Sequence, residues 1–203
     1  MRKMTDRRTI ILMRHGESTA NRERALTGRS EAELTARGKA QAKRAARYIA
    51  GRFPVDRLYS SPLKRALCTA QPIAKRVRAP IVQDPLLMEA DFGSWEGLSR
   101  EALEKKSGWD DYLKDPFHYR FPGGESPQDV RGRVARFREK LFADADWSGV
   151  VVVSHYTPIV FFILEVLGGG GAARAPFRVD NAALSVVEVG EGYELLTLLN
   201  YSP

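Results

Sequence analysis

Two short stretches far apart in the chain, one apolar and β-branched and the other fully apolar, constrain its fold more than any other feature. Residues 9–13 read Thr-Ile-Ile-Leu-Met and residues 149–153 read Gly-Val-Val-Val-Val. Both are too short for a buried helix, so both are expected to be strands covered on both faces, as in a parallel sheet flanked by helices. Each stops abruptly, one at Arg14-His15-Gly16-Glu17-Ser18 and the other at Ser154-His155-Tyr156. Open parallel sheets bind ligands beyond the carboxyl ends of their strands. Two of the three histidines therefore fall where a ligand is expected. The third, His118, sits among Phe117 and Tyr119 in an irregular stretch and reads as a packing residue.

The segments between these strands alternate helix and strand. Thr35 can cap a helix that stops near Gly51 and Pro54, with Ala42, Ala45, Ala46 and Ile49 as a narrow apolar stripe. Leu58 and Tyr59 suggest a brief strand, Pro62 opens a helix running to about Val77, and Pro80-Ile81-Val82 begins another strand. Residues 91–125 break into short helical stretches around Gly93, Gly97, Gly108, Pro116 and Pro122, and read as an inserted lid. A long helix is expected from Ser126 to about Phe142, carrying Val130, Val134, Phe137 and Leu141 at helical spacing. Another is expected from Pro158 to Leu167, ended by Gly168, Gly169, Gly170 and Gly171. Residues 183–189 and 193–199 flank Gly190-Glu191-Gly192 as a hairpin. The expected fold is a single α/β domain over residues 1–203. It has three layers: a mostly parallel central sheet with helices on both faces, a C-terminal hairpin at its edge and a small helical lid insertion.

Hydrophobic residues make up 43% of the 203 and charged residues 28%, which excludes a disordered, collagen-like or membrane-bundle chain. The basic residues 1–8 precede too few apolar residues for a secretory signal, and the run at 159–167 is broken by Glu165 and too short to span a bilayer. The lone Cys68 suits a reducing compartment, so a cytoplasmic location is expected. Residues 1–80 carry 20 Lys and Arg against 6 Asp and Glu, whereas the remaining 123 carry 12 against 19. The basic half points to an anionic partner. Nucleic acid is not expected, because no aromatic residues interleave the charges and none of the usual nucleic-acid motifs occurs.

Further motifs follow in order: Ser60-Ser61-Pro62-Leu63-Lys64-Arg65-Ala66 with Thr69-Ala70, then Glu89 with Phe92-Gly93-Ser94-Trp95-Glu96-Gly97, then Pro122-Gly123-Gly124-Glu125-Ser126, then Val153-Ser154-His155. With the first string and Asn21, these cover nearly the whole chain and resemble the histidine phosphatase superfamily, the phosphoglycerate-mutase-like enzymes. The resemblance implies that His15 is the nucleophile that becomes phosphorylated and that Glu89 is the proton donor. It further implies that Arg14, Arg65 and His155 form the phosphate pocket with help from Asn21. Thr27-Gly28 also occurs where the mutases of this family bind substrate.

Physical reasoning agrees with these roles. A phosphate dianion suits the planar, multi-donor fork of arginine, and neutral imidazole is a good nucleophile near pH 7. Gly16, without a Cβ, could let substrate approach the backbone or could be a simple turn glycine. Among carboxylates, Glu17 and Asp91 are the rivals of Glu89 as the acid. His15, His155 and Glu89 could also be written as a metal-ligand set, but Arg14 and Arg65 would repel a dication, so no metal and no cofactor are expected.

Mutases of this family usually follow the acidic residue with Arg-His-Tyr. Here Ala90-Asp91-Phe92 follows, and the insertion has only the scattered cations Arg100, Lys105, Lys106, Lys114 and Arg120. The motifs look most like the phosphatase branch, which includes α-ribazole 5′-phosphate phosphatases and broad-specificity phosphomonoesterases. The expected function is metal-independent hydrolysis of a small phosphorylated metabolite through phosphohistidine, α-ribazole 5′-phosphate being one candidate. The alternatives are a mutase or phosphotransferase using the same His15, and a phosphate-recognition module without turnover. The expected partner is a small-molecule phosphomonoester, with no nucleic acid and no membrane; a homodimer is left open. Trp95, Trp109, Tyr112, Phe117 and Phe121 could receive an apolar or aromatic leaving group, with packing of the lid as the favoured use.

Overall fold

A computed structural model describes residues 7–144, 146–169 and 175–203. Six strands form one sheet: β1 (Arg8–Arg14), β2 (Arg57–Ser60), β3 (Ile81–Gln83), β4 (Gly149–Ser154), β5 (Leu184–Gly190) and β6 (Tyr193–Tyr201). Their order is β3-β2-β4-β1-β5-β6, with the first four parallel and β5 and β6 antiparallel. The helices are α1 (Thr19–Glu23), α2 (Ala36–Arg52), α3 (Lys64–Val77), α4 (Arg100–Leu103), α5 (Trp109–Lys114), α6 (Pro127–Ala143) and α7 (Tyr156–Val166). Among the described residues no helix is long and apolar enough to cross a membrane.

The two apolar runs form the central strands because strand alternation sends neighbouring side chains into separate cores. Ile10, Leu12, Val150 and Val152 join Val130, Val134 and Phe137 of α6 and Ile159 to Leu164 of α7 on one face. Ile11, Met13, Val151 and Val153 join Ala45, Ala46 and Ile49 of α2 and Ala66, Ala70 and Ile73 of α3 on the other. A one-residue slip of β1 would exchange these sets, so the register is held by both cores.

Two helix starts differ from expectation. α7 begins at Tyr156, with His155 as its N-cap and Pro158 inside the first turn, where a missing N–H costs nothing. α3 begins at Lys64 after Leu63, so Pro62 precedes the helix rather than opening it. Thr35 and Ser126 cap α2 and α6 through their side-chain oxygens. The short α1 was not foreseen; Ser18 and Asn21 build a reciprocal cap at its start. Gly170, Gly171 and residues 1–6 lie outside the described residues. The expected hairpin is present as β5 and β6, and β6 forms the sheet edge.

The insertion has a third, smaller core of Trp95, Leu103, Trp109 and Phe121, with Leu26, Tyr112 and Tyr119 packed around it. Its rings meet edge-on or tilted, as aromatic quadrupoles prefer.

Candidate active site

The register of β1 on β4 brings the two histidines together. Arg14 aligns with Ser154, so His15 and His155 leave the sheet side by side, with ring centroids 5.1 Å apart. Both are buried. Nδ1 of His15 lies 2.8 Å from the Gly16 carbonyl oxygen. A carbonyl only accepts, so Nδ1 carries the proton and the lone pair of the neutral ring is on Nε2. His155 Nε2 lies 2.8 Å from Ser61 Oγ, at the residue after β2, and that oxygen accepts the Leu63 N–H. With the Ser61 hydroxyl donating to Nε2, the ring proton of neutral His155 sits on Nδ1.

His155 Nδ1 and Arg14 Nε are both buried without a hydrogen-bond partner, whereas Arg14 Nη1 donates to the Val179 carbonyl at 2.7 Å. Unpaired buried donors are costly, and two at one site match the oxygens of an anion. Gly16 has a packing reason of its own. A Cβ there would stand 2.5 Å from the Gly38 carbonyl oxygen, so this glycine allows the chain to pass against the first turn of α2.

Arg65, in the first turn of α3, is 1% exposed. Its guanidinium donates to the carbonyls of Gly28 at 2.5 Å and Ser30 at 2.9 Å. That loop is held by Glu96, which accepts the N–H groups of Arg29 at 2.7 Å and Ser30 at 2.8 Å. A Cβ on Gly28 would meet Glu96 Oε1 and the Ala90 carbonyl, so glycine is required there by close packing. Thr27 donates to the Ala25 carbonyl. The Asn21 side-chain oxygen accepts from Ser18 and from Asn181, and Asn181 also donates to the His15 carbonyl. Asn21 therefore touches the site through Asn181 and the α1 cap.

Glu89 is buried at the N-terminus of α7. Its Oε1 accepts the N–H of Ala90 at 2.8 Å and that of Thr157 at 3.2 Å. It lies within electrostatic reach of Arg14 and Arg65, at the same pocket as the histidines. The rival carboxylates are engaged elsewhere. Glu17 accepts the Thr35 hydroxyl at 2.7 Å beside the start of α2, and Asp91 accepts the Gly93 N–H and pairs with Arg29.

Arg133 of α6 supports the strand of chain that carries Glu89. It is buried and donates to the carbonyls of Leu86, Met88 and Glu89 and to both oxygens of Glu125. Glu125 in turn accepts the Asp91 N–H and pairs with Arg29. Burial pushes the Glu125 carboxyl up, but Arg133 and the Asp91 N–H outweigh it and hold it below its usual range. Sequence reading missed Arg133, although a signal existed. Counting from Val130 it falls at i+3, on the apolar stripe of its helix.

Burial, reinforced by the Arg14 and Arg65 charges, pushes the His15 imidazole well below its ordinary value; the hydrogen bond to Gly16 only partly opposes this. Burial, Arg65, His15 and Arg14 do the same for His155. Burial also lowers both arginines, opposed by Glu89. Near pH 7 the pocket thus holds two neutral imidazoles, one presenting a lone pair, among cationic donors. Among the described residues no group of three or more His, Cys, Asp and Glu side chains is gathered to hold a metal ion.

Residues 10–202 match the model of the histidine phosphatase superfamily, branch 1. The chain belongs to this superfamily. It is 35% identical over 202 residues to a bifunctional protein of Mycobacterium tuberculosis, a match covering 94% of this chain and 53% of that one. The chain therefore spans about half the length of the first curated relatives it matches. It is 34% identical over 194 residues to phosphoserine phosphatase 1 of Hydrogenobacter thermophilus, covering 94% of this chain and 91% of that one. The crystal structure of the α-ribazole phosphatase from Shigella flexneri superposes with a TM-score of 0.85 at 27% identity, covering 96% of each chain. The family and the α/β fold with a mostly parallel sheet agree with the sequence reading.

Proposed function

We propose that this protein is a metal-independent phosphomonoester hydrolase that works through phosphohistidine at His15. The observation that carries the reading is the locked tautomer of His15, whose Nδ1 proton is held by the Gly16 carbonyl. Arg14, Arg65 and His155 Nδ1 bind the oxygens of the phosphoryl group. Nε2 attacks phosphorus as the ester P–O bond breaks, and the Glu89 carboxyl gives its proton to the departing oxygen. In the second half-reaction the Glu89 carboxylate takes a proton from water, the water oxygen attacks phosphorus and the P–N bond breaks. Phosphate leaves, and neutral His15 and protonated Glu89 are restored.

Hydrolysis is favoured over mutase or phosphotransferase chemistry by the state of the insertion's cations. Of its five cations, Arg100 is paired with Glu104, Lys114 with Asp111 and Arg120 with Asp129, and Lys105 and Lys106 are exposed in the turn after α4, so they are scattered rather than gathered as a clamp for a second acidic group. A recognition module would have no need of a carboxyl held at the α7 N-terminus. α-Ribazole 5′-phosphate and phosphoserine are the substrates suggested by relatives' names.

The test is His15→Ala, assayed by free phosphate and by circular dichroism. The account expects an unchanged fold and at least ~10³-fold loss of turnover, as for removal of a covalent nucleophile. Activity within tenfold of the unaltered protein would overturn it. EDTA should leave the rate unchanged, and vanadate, which mimics the in-line transition state, should inhibit.

A further inference from the structure

Beside the phosphate pocket, a cavity of about 600 Å³ runs under the insertion. Its walls include Ala90, which follows Glu89, and Tyr156 and Thr157, which follow His155. Thr157 N–H is also the donor that holds the Glu89 carboxyl. The cavity therefore borders the residues that hold Glu89, and a group attached to the departing oxygen can extend into it.

We propose that this cavity selects an uncharged alcohol bearing an aromatic ring as the leaving group, a proposal that rests on the hydrolase reading above. Three features of the walls support it. Tyr112, Phe117 and Tyr156 line the cavity without being fully buried, and the buried Trp95, Trp109 and Phe121 line it with them. The volume is that of a site for a ring-bearing molecule, and a three-carbon acid would leave most of it unfilled. Among the described lining residues Arg100 is the one formal charge. Its guanidinium is taken by Glu104 at 2.7 Å and lies 5.2 Å from the centre of the Trp109 ring. Among the described lining residues, a substrate carboxylate entering here would lose its hydration and find the one cation, Arg100, already paired.

Tyr156 stands at the doorway. It is 40% exposed, lines the cavity, and has the Arg14 guanidinium 5.5 Å from its ring centre. One side chain thus borders both the phosphate pocket and the cavity, so a leaving-group ring can stack on it while the phosphoryl group rests on Arg14.

The experiment compares kcat/KM for 2-phenylethyl phosphate, n-propyl phosphate and 3-phosphoglycerate by release of free phosphate. The first two release primary alcohols of similar acidity, so their ratio reads the contact made by the ring. The account expects 2-phenylethyl phosphate to be favoured at least tenfold over n-propyl phosphate and further over 3-phosphoglycerate. Tyr156→Ala and, independently, Phe117→Ala should each reduce the phenylethyl-to-propyl ratio at least threefold. A ratio near one, or preference for 3-phosphoglycerate, overturns the inference and leaves the hydrolase reading intact. Failure to hydrolyse any of the three, with no phosphoryl group on His15, overturns both.

Discussion

The phosphate pocket and the insertion that roofs it are built on different principles. The pocket hangs on the ends of β1, β2 and β4, whose register is set by two large cores, and its donors are pinned by backbone carbonyls and one serine. The insertion has helices of four and six residues around a small aromatic core, and several of its ion pairs lie at the surface. Such pairs stabilise by about 1 kcal/mol or less. On the proposed reading, chemistry that needs sub-ångström placement sits on the sheet, and choice of leaving group sits on the part that is cheaper to alter. Arg133 and Arg29 join the two regions through Glu125.

That contrast can be broken at its strong end. Arg65→Ala removes a buried guanidinium from the pocket and frees the carbonyls of Gly28 and Ser30. kcat/KM should fall at least ~10²-fold, or ~2.7 kcal/mol, for every ester alike. A loss confined to bulky esters would place Arg65 in the wrong region.

At the joint, Arg133→Met leaves three carbonyls and the Glu125 carboxylate without their shared donor. Breaking one partner of a buried pair costs ~3–5 kcal/mol, which should appear as a lower Tm. Because Glu89 shifts with its loop, kcat should drop about tenfold, more than KM rises. A changed Tm with unchanged kcat would make Arg133 a purely structural residue.

The smallest expected effect is on pH dependence. His15 and His155 titrate well below their ordinary value when folded, so on acidification the unfolded chain takes up protons first. Their contribution is fully present above about pH 7.5, declines as pH falls through ~6.5, and levels off only below the folded values. Tm should therefore fall between pH 7.5 and 5.5, and less steeply in a His15→Asn, His155→Gln double variant. A Tm that rises over this range would contradict the burial account.

The pocket was more legible in the sequence than its supports. The runs at 9–13 and 149–153 revealed their strands because four or five apolar residues in a row, cut off sharply by polar ones, suit a strand covered on both faces and little else. The histidines after them drew notice because polar chemistry follows immediately. Their adjacency is a matter of register between distant strands, which no local pattern carries. Pro158 misled because proline marks the first helical turn without saying which of its residues it occupies, and the true start two residues earlier is what points Thr157 N–H at Glu89. The aromatic residues of the insertion read as lid packing first and as a wall for an apolar or aromatic leaving group second, and the structure gives them packing and a cavity wall together. Arg133 was hidden among Arg131, Arg136 and Arg138, where only its place on the apolar stripe sets it apart.

The central claim is that Glu89 protonates the oxygen that leaves as His15 is phosphorylated, and rapid-quench measurement of that phosphorylation tests it directly. An alkyl phosphate departs as a strongly basic alkoxide and needs the proton, whereas p-nitrophenolate leaves largely unaided. Glu89→Gln keeps size and hydrogen bonding but removes the acidic proton. Measuring the first half-reaction alone avoids hydrolysis of phosphohistidine, which on this account also uses Glu89 and is common to both substrates. The account predicts that the variant slows phosphorylation of His15 severely with n-propyl phosphate and only mildly with p-nitrophenyl phosphate. Slowing by the same factor with both would contradict it and return the role of acid to Glu17 or Asp91.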